Sequence, residues 1–280
     1  MSYMFGNTDV FNQPILLWKT TNVTTMQGMF VRAKAFNQPI FKNFAGSFST
    51  GENTEHNWYT LNVRNMASMF QDSSSFNQNI SNWTTYNVTD MSDMFASAVK
   101  FNNNENSLGT TNNWEWNTSN VTRMTGMFFG ATVFNVSVNS WDVSNVTDMS
   151  YMFAEARAFN HISINTWTPK KLIYANHMFM RAVTFNKPLD YWNDNVGNLM
   201  YMVQMFYGTI NFNQDLSGWK LTALINSGRG GYPSYTLYAD FNAFARPMAL
   251  ANRPYQYKGV ENVRFSQPAF TNVNGQYSDG

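Results

Sequence analysis

Three histidines, His56, His161 and His177, are the side chains best suited to bind a metal or move a proton. Their spacing makes no zinc-type ligand set. One falls in a long insertion, one beside a recurring Phe-Asn pair and one beside a recurring Met-Phe pair. Asp90 and Asp93 could act as paired carboxylates of the kind that hydrolyse glycosides, but acids fall at variable places in a repeat and read as solvated groups. The chain has no cysteine, which removes thiol nucleophiles, thiolate zinc sites and disulfides. No catalytic, cofactor-binding or metal-binding residue is assigned, no cofactor is expected, and a polysaccharide hydrolase ranks last of three functional readings. Eight N-x-S/T sequons begin at Asn22, Asn79, Asn82, Asn87, Asn117, Asn120, Asn135 and Asn145. Most sit at fixed repeat positions, so the repeat accounts for them without glycosylation.

The repeat is announced by a Met-Phe pair at Met4-Phe5, Met29-Phe30, Met69-Phe70, Met94-Phe95, Met127-Phe128, Met152-Phe153, Met178-Phe179 and Met205-Phe206. Six residues after each of these phenylalanines stands a Phe-Asn pair: Phe11-Asn12, Phe36-Asn37, Phe76-Asn77, Phe101-Asn102, Phe134-Asn135, Phe159-Asn160, Phe185-Asn186 and Phe212-Asn213. Tryptophan follows seven residues later at Trp18, Trp83, Trp141, Trp192 and Trp219, and Asn-Val comes next, as in Asn22-Val23, Asn87-Val88 and Asn145-Val146. The unit of 25 residues reads V-x-x-M-x-x-M-F-x-x-A-x-x-F-N-x-x-I-x-x-W-x-x-x-N. Eight aligned copies define a repeat architecture.

The apolar residues of the unit recur mostly every third position and must face one interior, which a single unit cannot bury alone but a stack can. Residues 149–156 have the spacing of a short helix or 3-10 turn. Residues 135–138, and 77–80 likewise, read as short strands that stacking would pair in parallel. The expected fold is therefore a right-handed, leucine-rich-repeat-like solenoid of about eight to nine coils, spanning residues 1–224, with an extended arm over 225–280. Asn12, Asn37, Asn77, Asn102, Asn135, Asn160, Asn186 and Asn213 read as a structural ladder whose amides satisfy backbone groups at a turn. The methionines, in phase with Phe and Trp, read as core.

Composition narrows the partners. Charged residues make up 12% of the chain and aromatic residues 17%. Such a low charge leaves little same-sign repulsion between copies and suits an assembly. A net charge of +1 supplies no basic stripe for a phosphate backbone, so no nucleic-acid partner is expected. No run of apolar residues is long enough to span a bilayer, so no membrane insertion is expected, and the first residues do not read as a signal peptide.

The run from Trp141-Asp142-Val143-Ser144-Asn145-Val146-Thr147-Asp148-Met149 through Met152-Phe153 to Phe159-Asn160, with Phe212-Asn213-Gln214-Asp215-Leu216-Ser217-Gly218-Trp219, resembles the BspA-like leucine-rich-repeat surface proteins. The likeness is to the branch first described as mycoplasma repeat proteins of unknown function. It covers residues 1–224. It implies a leucine-rich-repeat-like solenoid with roles in adhesion or protein interaction, at a cell surface or, in relatives from large DNA viruses, in a virion. It brings no enzymatic residue with it.

Departures from the period are where function is expected. Two insertions, residues 41–57 and 103–115, fall at the same place in their units and should leave the same face. The first carries Phe41, Phe44 and Phe48. Beyond Leu224 the repeat stops, a turn-rich stretch follows, and Tyr232, Phe241, Phe244, Tyr255, Tyr257, Phe265 and Phe270 are scattered through a segment suited to lie extended in grooves. These ten aromatics are the candidate partner contacts. The leading expectation is a structural protein of an assembled particle, such as a minor capsid or virion-surface protein of a large DNA virus. It would contact other subunits, capsid proteins among them, through the arm and the insertion face. The alternative is a cell-surface adhesin or ligand-binding module.

Overall fold

A computed structural model describes residues 1–40, 58–104, 114–214, 216 and 218–223. Among these the recurring phenylalanines build eight stacked layers, numbered here by their Phe pairs: Phe5/Phe11 (layer 1), Phe30/Phe36 (2), Phe70/Phe76 (3), Phe95/Phe101 (4), Phe128/Phe134 (5), Phe153/Phe159 (6), Phe179/Phe185 (7) and Phe206/Phe212 (8). Within layer 5 the two rings lie 3.8 Å apart, and Phe128 stacks on Phe95 and Phe153 of the adjoining layers at 5.6 Å each. A tryptophan column runs beside them. Trp58, Trp116 and Trp167, displaced in sequence by insertions or altered spacing, take their places in it with Trp83 and Trp141. From layer 2 onward the Met and both Phe of each unit are buried, and from layer 3 onward so is the Val or Leu that opens it. Burying such side chains against one another is the main drive for the stack, at about 1.5–3 kcal/mol each.

The expected fold is corrected in its elements. The chain does not form a leucine-rich-repeat-like, right-handed solenoid of parallel strands: no strand or sheet occurs among the described residues, and residues 77–80 and 135–138 are not strands. Parallel pairing shrinks to isolated one-residue bridges, Thr25 to Asn65, Asn65 to Asp90, Asp90 to Arg123, Arg123 to Asp148, Asp148 to Tyr174 and Tyr174 to Tyr201. Residues 149–156 are not helical either. Their N–H groups alternate between a short bond within the turn and a bond to the next layer. Met152, Ala154 and Ala156 donate to Met149, Tyr151 and Phe153, while Tyr151, Phe153 and Glu155 donate to Asn176, Met178 and Met180.

The cause is backbone geometry. Two residues per unit have positive φ, for example Tyr151 at 59° and Glu155 at 58°, so each extended or helical run is cut after a few residues. The same two positions hold Gly28 and Arg32, Ser68 and Asp72, Asp93 and Ser97, Gly126 and Gly130, and His177 and Arg181. Each of these donates its N–H to the following layer. Among the described residues two 3-10 helices, Ile162–Thr166 and Asp190–Trp192, form in the segment between the Phe-Asn pair and Trp. The C-terminal arm lies outside the described residues.

A further set of bonds ties each tryptophan to the layer before it. The indole N–H of Trp58, Trp116, Trp167 and Trp192 donates to the carbonyl of Ile15, Ile80, Val138 and Ile164. Trp83, Trp141 and Trp219 break the series, because their buried Nε1 atoms have no partner; the first two follow a layer that carries an insertion and Trp219 does not. In layer 4 the slot is refilled differently. Trp114 packs edge-on against Phe101, Trp116 and Trp141 at 2% exposure, and buried Asn103 bonds the N–H of Ile80 through its Oδ1. Trp83→Phe therefore removes an unsatisfied donor, whereas Trp116→Phe removes one of two bonds to the Ile80 carbonyl, which keeps the Trp83 backbone N–H as its other donor. The second substitution is expected to cost about 0.5–1.5 kcal/mol more than the first in urea unfolding, the net worth of one hydrogen bond, and equal losses would refute the assignment.

Candidate interaction surface

The ladder asparagines stand in one row. The Oδ1 of Asn12, Asn37, Asn77, Asn102, Asn135, Asn160 and Asn186 accepts from the backbone N–H of the next asparagine, ending at Asn213, at 2.8–2.9 Å throughout. A second row runs along the Asn-Val position, where Nδ2 of Asn62, Asn87, Asn120, Asn145 and Asn198 donates to a carbonyl of the preceding layer. Three sequon asparagines, Asn87, Asn120 and Asn145, thus have the nitrogen that would carry a glycan engaged in packing. Thr20, Thr60, Thr85 and Thr118 form a third, buried row whose hydroxyls donate to the following layer.

The candidate contacts Phe41, Phe44, Phe48, Tyr232, Phe241, Phe244, Tyr255, Tyr257, Phe265 and Phe270 all lie outside the described residues, as does His56. His161 caps the first 3-10 helix by accepting from the Ser163 N–H at 3.2 Å. Burial and then the Lys187 charge hold its pKa down. His177 stacks on Tyr151 at 4.6 Å, its Nδ1 is buried without a partner, and burial lowers its pKa. Asp90 and Asp93 are brought close. Asp90 accepts from the Ser92 N–H and pairs with Arg123 at 3.7 Å. Asp93 is pushed up from the usual carboxylate range by burial first and the Asp90 charge second, partly offset by Arg123. No group of three or more His, Asp or Glu that could hold a metal converges among the described residues.

The Asp93 shift fixes a sign. A carboxyl whose folded pKa is raised favours the protonated fold, so its ionisation destabilises as pH rises through that range. Asp93→Asn is expected to raise the urea midpoint at pH 7, with the gain vanishing below about pH 4, the ordinary carboxylate range. A variant less stable at both pH values would count against the burial argument.

A surface not anticipated from the period lies on the outward side of the Met-Phe turns. Layer 1 carries exposed Tyr3 there, and layers 2 to 4 present Gly28, Ser68 and Asp93 at the same position. From layer 5 it turns aromatic: Phe129 meets the edge of Tyr151, Tyr151 stacks on His177, and Tyr174 stacks on Tyr201 at 4.8 Å. Tyr151 and Tyr174 remain 37% and 40% exposed. Arg181 lies over the Tyr207 ring and pairs with Glu155 at 3.0 Å. The signal was present at the variable positions of the repeat, where Asp90 and Asp93 give way to Tyr174 and His177. Charges on this side are matched between layers, Arg32 with Asp72 and Arg123 with Asp90, so no single-sign field develops.

These features define a layered repeat protein with an amide-laddered core and a mixed polar and aromatic side face. The chain belongs to the family described as Mycoplasma protein of unknown function, DUF285, which matches at residues 1–50, 43–115, 109–219 and 193–229. No curated protein and no solved structure matches the chain. No helix among the described residues is long and apolar enough to cross a membrane.

Proposed function

We propose that this chain is a non-enzymatic structural protein that works by contacting other proteins in a larger assembly. A minor capsid or virion-surface protein of a large DNA virus is its concrete form, and the assembled particle its location. The observation carrying this reading is how the repeat spends its residues. The recurring Met, Phe, Val and Trp are core, and the recurring Asn and Thr bond one layer to the next. What faces outward is nearly charge-neutral by pairing and carries exposed ring pairs, Tyr151 with His177 and Tyr174 with Tyr201. Aromatic side chains flanked by compensated charge favour protein contact over nucleic acid. Sedimentation velocity of the purified chain tests the reading. Concentration-dependent higher species support it, and a monomer at tens of micromolar, a range in which weak subunit contacts with Kd near 1 µM are populated, overturns it.

A cell-surface adhesin or ligand-binding module is the second reading. The likeness of the motif to BspA-like surface proteins favours it, as does the aromatic side face, whose rings could stack on a sugar or a peptide. Loss of binding to host glycan or protein in a Tyr151→Ala, Tyr174→Ala variant would separate it from the first.

A further inference from the structure

Among the described layers, layer 5 alone has glycine at both left-handed positions of its turn, Gly126 and Gly130. Every other layer carries a side chain at one or both, such as Asp93 and Ser97 in layer 4 or Tyr151 and Glu155 in layer 6. The side face is therefore furrowed at layer 5, with Phe129 standing between the two glycines. Asp93 leans over the furrow from layer 4. Its Oδ1 lies where a Cβ on Gly126 would stand, and the Phe129 Cβ is 3.9 Å from the same point. On the layer 6 side the Phe129 ring meets the edge of Tyr151 at 6.4 Å, and Tyr151 is 37% exposed. One carboxylate and two aromatic rings thus border a single gap.

The other acids around the furrow are committed. Asp90 pairs with Arg123, Glu155 pairs with Arg157 and Arg181, and Asp148 accepts from the Ser150 N–H. The Asp93 carboxylate has no hydrogen bond or ion pair among the described residues, although burial strips away part of its water. In layers 4 to 6, the bridge column and the first left-handed column hold three acids, Asp90, Asp93 and Asp148, against one base, Arg123, a net charge of −2. A half-buried carboxylate without a donor is stabilised by a cation that brings hydrogen bonds to it. The rings add a preference for a flat cation. Guanidinium stacks on aromatic faces and bonds a carboxylate through two parallel N–H groups, whereas ammonium is a compact, strongly hydrated point charge.

We propose that the layer 5 furrow receives an arginine side chain of a partner protein, its guanidinium bonded to Asp93 and packed against Phe129 and Tyr151. The proposal rests on the protein-contact reading above and names the side chain that the side face recognises. Glycine at 126 and 130 then has two uses: it tolerates the left-handed backbone, and it leaves the space that the incoming group enters.

The test titrates the full chain with acetyl-Gly-Arg-Gly-amide at pH 7, following the Gly126 amide and the Phe129 and Tyr151 ring signals by NMR. Saturable shifts are expected, with Kd on the order of 1 mM. Asp93→Asn is expected to weaken binding at least roughly tenfold, the worth of hydrogen bonds to a charged group. Tyr151→Leu keeps the bulk without the ring and is expected to weaken it roughly threefold. Asp142→Asn, at an exposed acid outside the furrow, should leave binding unchanged. The same peptide with citrulline, which is neutral and of similar shape, should produce no shift. Equal binding of the lysine peptide, undiminished binding to Asp93→Asn, or no saturable shift would each overturn the proposal. A chain that assembles in sedimentation without binding the peptide overturns this site and leaves the assembly reading standing. Binding by a chain that stays monomeric supports the site and overturns the assembly reading.

Discussion

Phe128→Ala is expected to destabilise the stack by about 3–5 kcal/mol. The ring is fully buried, sits 3.8 Å from Phe134, and stacks on Phe95, Phe153 and Trp141. The cost of such a truncation depends on whether the surroundings can close over the gap. Here they cannot do so easily. The Phe128 N–H is bonded to Met152 and its carbonyl to the Ala131 N–H, while Phe95 donates to Met127, so layers 4, 5 and 6 are held at fixed separation around the missing ring. Phe5→Ala removes the same side chain from a position with one open side, where collapse and solvent both reduce the penalty. About 1–2 kcal/mol is expected there, near the centre of the range for point substitutions. Urea unfolding of the two variants checks the contrast, and similar losses would show that the interior relaxes far more than its bonding implies.

Gly126→Val is the second large effect, at about 2–3 kcal/mol. Gly126 has φ +59°, a conformation costly for a β-branched residue. A Cβ there would also overlap the Asp93 carboxylate, which lies across it from the preceding layer. The Asp93 carboxylate can turn aside, so the cost rests mainly on the left-handed backbone, which is held in place by the Gly126 N–H donating to Ser150 of the next layer. The converse substitution is informative. Ser97 occupies the companion left-handed position with φ 56°, and Ser97→Gly is expected to stabilise by about 0.5–1 kcal/mol, the relief of strain exceeding the extra chain entropy lost. A destabilised Ser97→Gly would mean that the left-handed positions carry no strain.

The left-handed positions also explain where the sequence reading stopped. Glycine or asparagine would have marked them, but Tyr151, His177, Asp93, Glu155 and Arg181 do not advertise positive φ. Spacing alone therefore made residues 149–156 look helical. The one-residue bridges have the same origin: a ladder through Asp90, Arg123 and Asp148 has no β-branched run to reveal it, because the chain is extended there for a single residue. Trp58 and Trp116, each following an insertion, were legible as the tryptophans of their units, whereas Trp114 was assigned to an insertion although it packs into the core. The aromatic side face was legible in principle. Tyr151, Tyr174, His177 and Tyr201 stand at variable positions of the unit, but only stacking at one layer per unit brings rings about 25 residues apart in sequence into contact.

By itself the sequence determined the period, the register and the identity of the core, because an apolar residue recurring at a fixed place in every unit can be buried only by the next copy of itself. It also placed one asparagine after each core phenylalanine. The tertiary structure decided how the backbone runs between those points and which atoms bond. Each N–H had to choose between a partner three residues back and a partner one layer away, two options that local sequence leaves nearly equal. Stacking settles the choice, since the alternating pattern lets both kinds of bond form at once and leaves few buried donors without an acceptor.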